Sequence, residues 1–221
     1  MISIRREIDV LKLLNHENLI KLHCQFENVR NIHIVMDLAQ GMNLREYLEK
    51  RTETKFVEDE ARHIFRQVLN GVRFLHANGI SHRDIKLENV MIVSQKNLLL
   101  ENSCNNLLND ISFEGLGYES DGATLQRGLE QKLVHRKNTI KHNTDVKLVD
   151  FGFAIQSWDD SNDLKLICGT PNYMAPELLN KQRYNGKKAD IWALGVMLYY
   201  MLTGIYPFSG NFFFVKFDRQ M

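Results

Sequence analysis

The chain has almost no excess of charge of either sign: 28 Lys and Arg stand against 27 Asp and Glu, a formal net charge of +1 over 221 residues. That balance argues against a one-sign field that steers the chain toward nucleic acid or an anionic membrane, so neither is expected as a partner. Cysteine is scarce. Cys24, Cys104 and Cys168 are odd in number and far apart, which argues against a disulfide framework and for a reducing compartment, cytoplasmic or nuclear. The opening stretch, Met1 to Glu7, lacks an apolar core behind its basic residues, so it does not read as a secretory leader.

The residues that are present describe a globular protein: 44% are hydrophobic and 25% charged, the balance of a folded domain rather than a disordered one. One stretch imitates a membrane span. Between Asp190 and Lys216 no charged residue occurs for 25 positions, and Ile191 to Leu202 is mostly apolar. Hydropathy alone makes that a candidate span. Thr203-Gly204, Pro207 and Ser209-Gly210-Asn211 interrupt it, however, and a helix apolar all round also belongs at the centre of a soluble domain.

Periodicity organises most of the chain. Ile4, Ile8, Leu11 and Leu14 recur at helical spacing, so 2–14 is expected as an amphipathic helix ending at Asn15-His16. Leu19 to Phe26 and Ile32 to Leu38 are β-like runs joined by a polar stretch, a candidate hairpin. A short helix is expected over Leu44 to Lys50. Ala61, Ile64, Phe65, Val68, Leu69, Val72 and Leu75 mark the face of a long helix that stops at Asn78-Gly79. Strands are expected at Val90 to Val93 and Val146 to Val149. Residues 94–144 differ in kind, with seven asparagines and no sustained period, the composition of an exposed, partly disordered insertion. Within it, Gly115-Leu116-Gly117-Tyr118-Glu119-Ser120 lacks the last glycine and the strand-turn-helix setting of a phosphate loop, so it is expected to be a loop tip.

The chemistry concentrates in His82-Arg83-Asp84-Ile85-Lys86-Leu87-Glu88-Asn89, with Asp150-Phe151-Gly152 beginning 61 residues after Asn89. Asp84 is placed to accept or orient a hydroxyl proton. Lys86 is placed to neutralise charge on a phosphoryl group moving toward that hydroxyl. Asn89 offers a neutral oxygen and Asp150 a charged one, a pair suited to Mg²⁺ bridging phosphates. Phe151 and Gly152 supply an apolar anchor and a flexible point beside that carboxylate. Together these groups point to phosphoryl transfer.

On these motifs the chain resembles the eukaryotic protein kinase family. His82-Arg83-Asp84 resembles its catalytic loop, Asp150-Phe151-Gly152 its metal-binding triplet, and Ala175-Pro176-Glu177 the end of its activation segment. Asp190-Ile191-Trp192-Ala193-Leu194-Gly195 resembles the start of the family's buried αF helix, which favours a core helix over a span. The resemblance implies an α+β class and a partial kinase fold: a small-lobe remnant (the family's αC helix and fourth and fifth strands, 1–38) and a mainly helical large lobe (39–93 and 145–221) cut after αF. It implies ATP and Mg²⁺ as cofactors and proteins with Ser or Thr acceptors as substrates. Glu7 would be the αC glutamate. Met36 would be the gatekeeper, Asp37 to Ala39 the adenine-contacting hinge, and Leu44 and Met91 the lining of the adenine pocket. Leu11, Leu22, His82 and Phe151 would form the apolar column joining the lobes.

Lys86 and Gly169-Thr170-Pro171-Asn172-Tyr173 resemble the serine/threonine branch, with Thr170 expected to hydrogen-bond toward Asp84 and Lys86. Cys168 to Leu178 is most similar to the calmodulin-dependent and related groups. The pattern also departs from the family. The chain begins inside the αC-like segment, so the glycine-rich loop and the lysine that would pair with Glu7 are expected to be missing, with impaired activity as the consequence. The arginine that would pair with Glu177 is expected to be missing as well. Leu166 stands where Arg83 would meet a phosphothreonine, so Asp159, Asp160 or Asp163 is expected to supply a standing charge, with phospho-Ser161 as the substitute. Glu88 leaves room for a basic residue before the acceptor. A catalytically dead kinase acting as an interaction module is the alternative to an enzyme, and a peptide anchored through Ile191 to Phe208 is a third.

Overall fold

The computed structural model describes residues 2–39, 41–93, 144–158 and 164–208. The segment 94–143, with its Gly115 to Ser120 stretch, lies outside the described residues, as do Asp159, Asp160, Ser161, Asp163 and the residues from 209 onward.

Helix α1 (Ile2–Leu11) buries Ile8 and Leu11, while Ile4 stays exposed. It stops earlier than its apolar spacing suggests. The amides of Leu13 and Leu14 bond three residues back, to Val10 and Leu11, tightening the last turn so that Leu14 still reaches the core. Strands β1 (Leu22–Glu27) and β2 (Ile32–Met36) form the expected antiparallel hairpin, with Glu27 opposite Ile32. Its turn is made by Asn28, whose side-chain oxygen accepts the amides of Arg30 at 2.9 Å and Asn31 at 2.8 Å.

Helix α2 (Leu44–Glu49) begins at a reciprocal cap: the Asn43 carboxamide accepts the Glu46 amide and donates to the Glu46 carboxylate, each at 2.9 Å. Helix α3 (Glu58–Ala77) carries Glu58, Asp59 and Glu60 in its first turn, where the dipole favours negative charge. It ends at Asn78 and a left-handed Gly79. Ala61, Ile64, Val68, Val72 and Leu75 are buried as the spacing predicts, but Leu69 is 42% exposed.

Beyond α3 the strands are short. β3 (Ile80–Ser81) pairs with β6 (Ile155–Gln156), and β4 (Val90–Val93) pairs with β5 (Asp145–Leu148), Val90 opposite Leu148. Asn18 docks the chain after α1 onto β5: its side chain donates to the Val146 carbonyl and its own carbonyl accepts the Leu148 amide. Helix α4 (Pro176–Leu179) follows, then α5 (Gly186–Thr203), capped by the Asn185 side chain on the Lys188 amide and closed at a left-handed Gly204.

Helices α3 and α5 run antiparallel at the centre. His76 meets Asp190 at one end, and the Phe56 amide just before α3 bonds to the Met201 carbonyl at the other, at 2.7 Å. Leu194, Met197 and Met201 join Leu44, Leu48, Ile64, Leu75, Leu87 and Leu148 in one buried cluster. Each such side chain, fully withdrawn from water, contributes about 2 kcal/mol. Among the described residues no helix is long and apolar enough to cross a membrane. The part of the charge-free run from Ile191 to Thr203 lies in this core helix, with Ile191 and Tyr199 on its exposed side.

Candidate functional site

The octapeptide leaves β3 and turns through Arg83, whose φ of 66° lies in the left-handed region. A non-glycine residue held there is strained, so something must hold it. The holder is Asp190, 1% exposed. Its carboxylate accepts the His82 amide at 2.9 Å and the Arg83 amide at 2.8 Å, and His76 Nε2 contacts it at 2.8 Å. The loop then closes into a short 3₁₀ turn at Leu87–Asn89 and enters β4.

That turn converges three groups on the Asp84 carboxylate. Lys86 Nζ lies 2.7 Å from Oδ2, Thr170 Oγ1 donates to Oδ1 at 2.9 Å, and Asn89 Nδ2 donates to Oδ2 at 3.2 Å. Lys86 also donates to Thr170 Oγ1 at 3.0 Å, closing a ring of Asp84, Lys86 and Thr170. Asp84 is only 6% exposed, so its charge is balanced by an ammonium and two neutral donors rather than by water.

Pairing of β4 with β5 carries Asp150 to the same place. The Val149 amide donates to the Asn89 carbonyl at 2.9 Å, and Asp150 follows with a φ of 64°. Asp150 is exposed, and its Oδ1 accepts the Gly152 amide at 3.2 Å. Phe151 turns inward, fully buried, with its ring edge-on to His82 at 4.9 Å. Burial pushes the His82 imidazole well below its ordinary pKa, with the opposite pull of Asp190 in second place. The neutral ring fits its contacts: Nδ1 accepts the Asp84 amide at 3.3 Å and Nε2 donates to the Val149 carbonyl at 3.2 Å. Leu11 lies in the same buried cluster as Phe151, and Leu22 packs against it.

Glu7 faces this group from α1. Its carboxyl is pushed up, first by burial and then by the negative charge of Asp150. Among the described residues no cation pairs with Glu7, nor with Glu177 at the start of α4. Two carboxylates whose negative charges disfavour each other describe a place where a cation is favourable. Asn89 and Asp150 are hard oxygen donors, too few for a protein-only cage, which suits Mg²⁺ completing its shell with phosphate and water. Among the described residues no cluster of three or more His, Cys, Asp or Glu could hold a metal without such help.

The expected nucleotide-contacting residues differ in exposure. Met36 ends β2 and is 41% exposed, Ala39 packs against the core, Leu44 is fully buried, and Met91 is half-buried in β4. Asp37 between them does more than lend its backbone. Its buried carboxylate is 2.6 Å from Lys147 Nζ and 2.8 Å from His23 Nε2, and accepts the Lys21 amide at 3.1 Å. Burial alone would raise its pKa, but Lys147, the Lys21 amide and His23 together hold it below the ordinary carboxylate value. Sequence reasoning missed Lys147 and His76 in these roles, and also Tyr184, which binds Arg83. None belongs to a local motif, and no signal short of the fold connects them.

Comparison with known proteins agrees with this geometry. Residues 2–101 and 131–219 match the protein kinase domain family. The chain is 32% identical over 210 residues to NUAK family SNF1-like kinase 1 of Mus musculus, covering 95% of this chain and 24% of that protein. It is 31% identical over 209 residues to the probable serine/threonine-protein kinase fhkC of Dictyostelium discoideum, covering 94% and 27%. It is 32% identical over 209 residues to serine/threonine-protein kinase 33 of Bos taurus, covering 94% and 34%. The chain thus spans about a quarter to a third of the length of these relatives. With the Asp84 loop, the Asp150 triplet and the buried α5 all in place, the chain belongs to the protein kinase domain family, among relatives that are serine/threonine kinases.

Proposed function

We propose that the chain acts as an ATP-dependent serine/threonine protein kinase, moving the γ-phosphoryl group of ATP to Ser or Thr hydroxyls of proteins. The observation that carries this reading is the Asp84 carboxylate, buried yet held by Lys86, Thr170 and Asn89 at 2.7 to 3.2 Å. Asp84 takes up or orients the acceptor proton, Lys86 balances charge arriving on the phosphoryl oxygens, and Thr170 fixes both. Asn89 and Asp150 would hold Mg²⁺, which would draw charge off the phosphates when bound. Met36, Asp37, Ala39, Leu44 and Met91 frame the adenine side. Glu7, Arg83, Phe151, Gly152, Glu177 and Asp190 set the positions of these groups.

The same reading divides the chain into a small-lobe part (1–38), a large-lobe part (39–93 and 145–221) and an insertion (94–144). The break in the family match between residues 101 and 131 supports the insertion. The scarcity and wide spacing of cysteine fit a reducing compartment, the cytoplasm with the nucleus as the alternative.

A binding module without catalysis is favoured by one observation, the lack of a cationic partner for Glu7 among the described residues. One experiment separates the two. Thermal shift with Mg-ATP and phosphate transfer to a mixture of Ser/Thr protein substrates are measured on the chain and on Asp84→Asn and Asp150→Asn. The kinase reading expects a Mg-ATP shift that survives Asp84→Asn and is lost in Asp150→Asn, with transfer lost in both by about 100-fold or more. No Mg-ATP shift and no transfer in the unsubstituted chain reject it in favour of the module.

A further inference from the structure

Arg83 presents a problem of charge. Its side chain is buried, and a guanidinium withdrawn from water needs partners. Among the described residues it makes no ion pair with a carboxylate. Nε donates to the Phe153 carbonyl at 2.7 Å, and Nη1 donates to the Tyr184 hydroxyl at 3.2 Å. Both acceptors are neutral, and they come from different parts of the chain: Phe153 from the turn after Asp150, Tyr184 from the residues before α5.

Tyr184 is the better placed of the two to transmit position. It is 1% exposed, and its backbone pairs with Leu164, amide to carbonyl in both directions at 3.1 and 3.2 Å. Its hydroxyl donates to the Leu166 carbonyl at 2.8 Å while accepting from Arg83. Burial drives the phenol up to about 12, against the pull of Arg83 beside it. The hydroxyl therefore keeps its proton, and that proton serves Leu166. Three residues further on, Gly169 crosses the Arg83 backbone so closely that a Cβ would sit 2.6 Å from the Arg83 carbonyl oxygen, at a φ of 102°. Thr170 follows at once and donates to Asp84.

We infer that Tyr184 is a positioning residue for the Asp84, Lys86 and Thr170 group: its hydroxyl links the Leu166 carbonyl to the Arg83 guanidinium, fixing the stretch 164–170 over the loop with no anionic partner among the described residues. The link supplies through neutral oxygens the anchoring that a carboxylate or phosphate would otherwise give. Its consequence for transfer rests on the kinase reading above; its consequence for order in 164–170 does not.

The test compares the full chain with Tyr184→Phe, which keeps the ring and removes the hydroxyl. Amide hydrogen exchange is followed at Leu164 to Thr170 and, as a reference, in α3 and α5. The expected result is roughly tenfold or faster exchange in 164–170, with the reference helices unchanged. In transfer assays kcat falls about tenfold while KM for Mg-ATP stays constant. Arg83→Gln should loosen the same stretch, and the double variant should add little to either single one, because both break one link. A chain with Asp159, Asp160 and Asp163 all changed to Asn should keep the stretch protected.

Unchanged exchange in Tyr184→Phe overturns the inference. So does release by the triple Asp→Asn chain in its place, or a Tyr184→Phe chain that fails to fold, which would make Tyr184 plain core. If the unsubstituted chain transfers no phosphate, the kinase reading fails, and the exchange comparison still decides the role of Tyr184.

Discussion

Asp190 holds the backbone of Arg83 from 107 residues away, its Oδ1 accepting the Arg83 amide at 2.8 Å. The second oxygen accepts the His82 amide and meets His76, so one buried carboxylate ties the loop of Asp84 to the central pair α3 and α5. Left-handed backbone at a non-glycine residue persists only where its surroundings over-determine it, and here Asp190 holds the backbone while Phe153 and Tyr184 hold the Arg83 side chain.

Changing Asp190 to Asn tests that dependence. The substitution keeps shape but turns one acceptor into a donor facing an amide, leaving a buried N–H without a partner. Loss of about 2 to 4 kcal/mol of stability is expected, read from urea unfolding, together with loss of phosphate transfer. An unchanged unfolding midpoint would show that the Arg83 turn stands without Asp190.

A second clamp joins the residue after Met36 to the strand that leads into Asp150. Lys147 and Asp37 approach to 2.6 Å across β5 and the end of the hairpin, and Lys147 also sits opposite Met91 in the β4–β5 register. Lys147→Met keeps the aliphatic stem and removes the charge, leaving the buried Asp37 carboxylate with His23 and one amide. Destabilisation of about 2 kcal/mol is expected, with a raised KM for ATP under the proposed kinase function. A variant with unaltered stability and KM would make the pair incidental.

Much of this fold could be read from local patterns. The period of Ala61 to Leu75 marks α3, the Asn28 turn marks the hairpin, and the spacing of His82 to Asn89 marks the reactive loop, because each depends on residues a few positions apart. The site's supports were not legible in the same way. Asp37 reads as a backbone contributor, yet its side chain bridges Lys147, His23 and Lys21. Tyr184 lies in a stretch with no motif, yet it holds Arg83. Ile4 and Leu69 fit their helical faces by spacing but lie exposed, since periodicity gives a face and not what covers it. Contacts between residues about 100 positions apart are set by tertiary geometry, which no local period encodes.

On the acid side of pH 8 the dependence of stability on pH follows from His82, Asp37 and Glu7, the shifted groups that titrate there. His82 is held below 6.5 by burial, so below that value the unfolded chain takes up a proton that the folded chain refuses. Stability supplied by its neutral form is complete above pH 6.5 and declines as pH falls, by at most about 1.4 kcal/mol per pH unit. Asp37 lies below 3.8, so its contribution is present above that value and is lost only as pH falls further. Glu7 has the opposite sign. Raised above 4.5, it binds its proton more readily in the folded chain, so its contribution is present below 4.5 and is lost as pH rises. Urea unfolding between pH 4 and 8 should therefore show a maximum on the neutral side and a decline that begins near 6.5. Glu7→Gln removes the only one of the three groups that opposes folding at neutral pH. That variant should be more stable than the parent at pH 7.5, with the difference shrinking toward pH 4. A variant less stable than the parent at pH 7.5, with the deficit vanishing on acidification, would mean that a cation stabilises the Glu7 carboxylate in the folded chain, and that burial and the charge of Asp150 do not govern it.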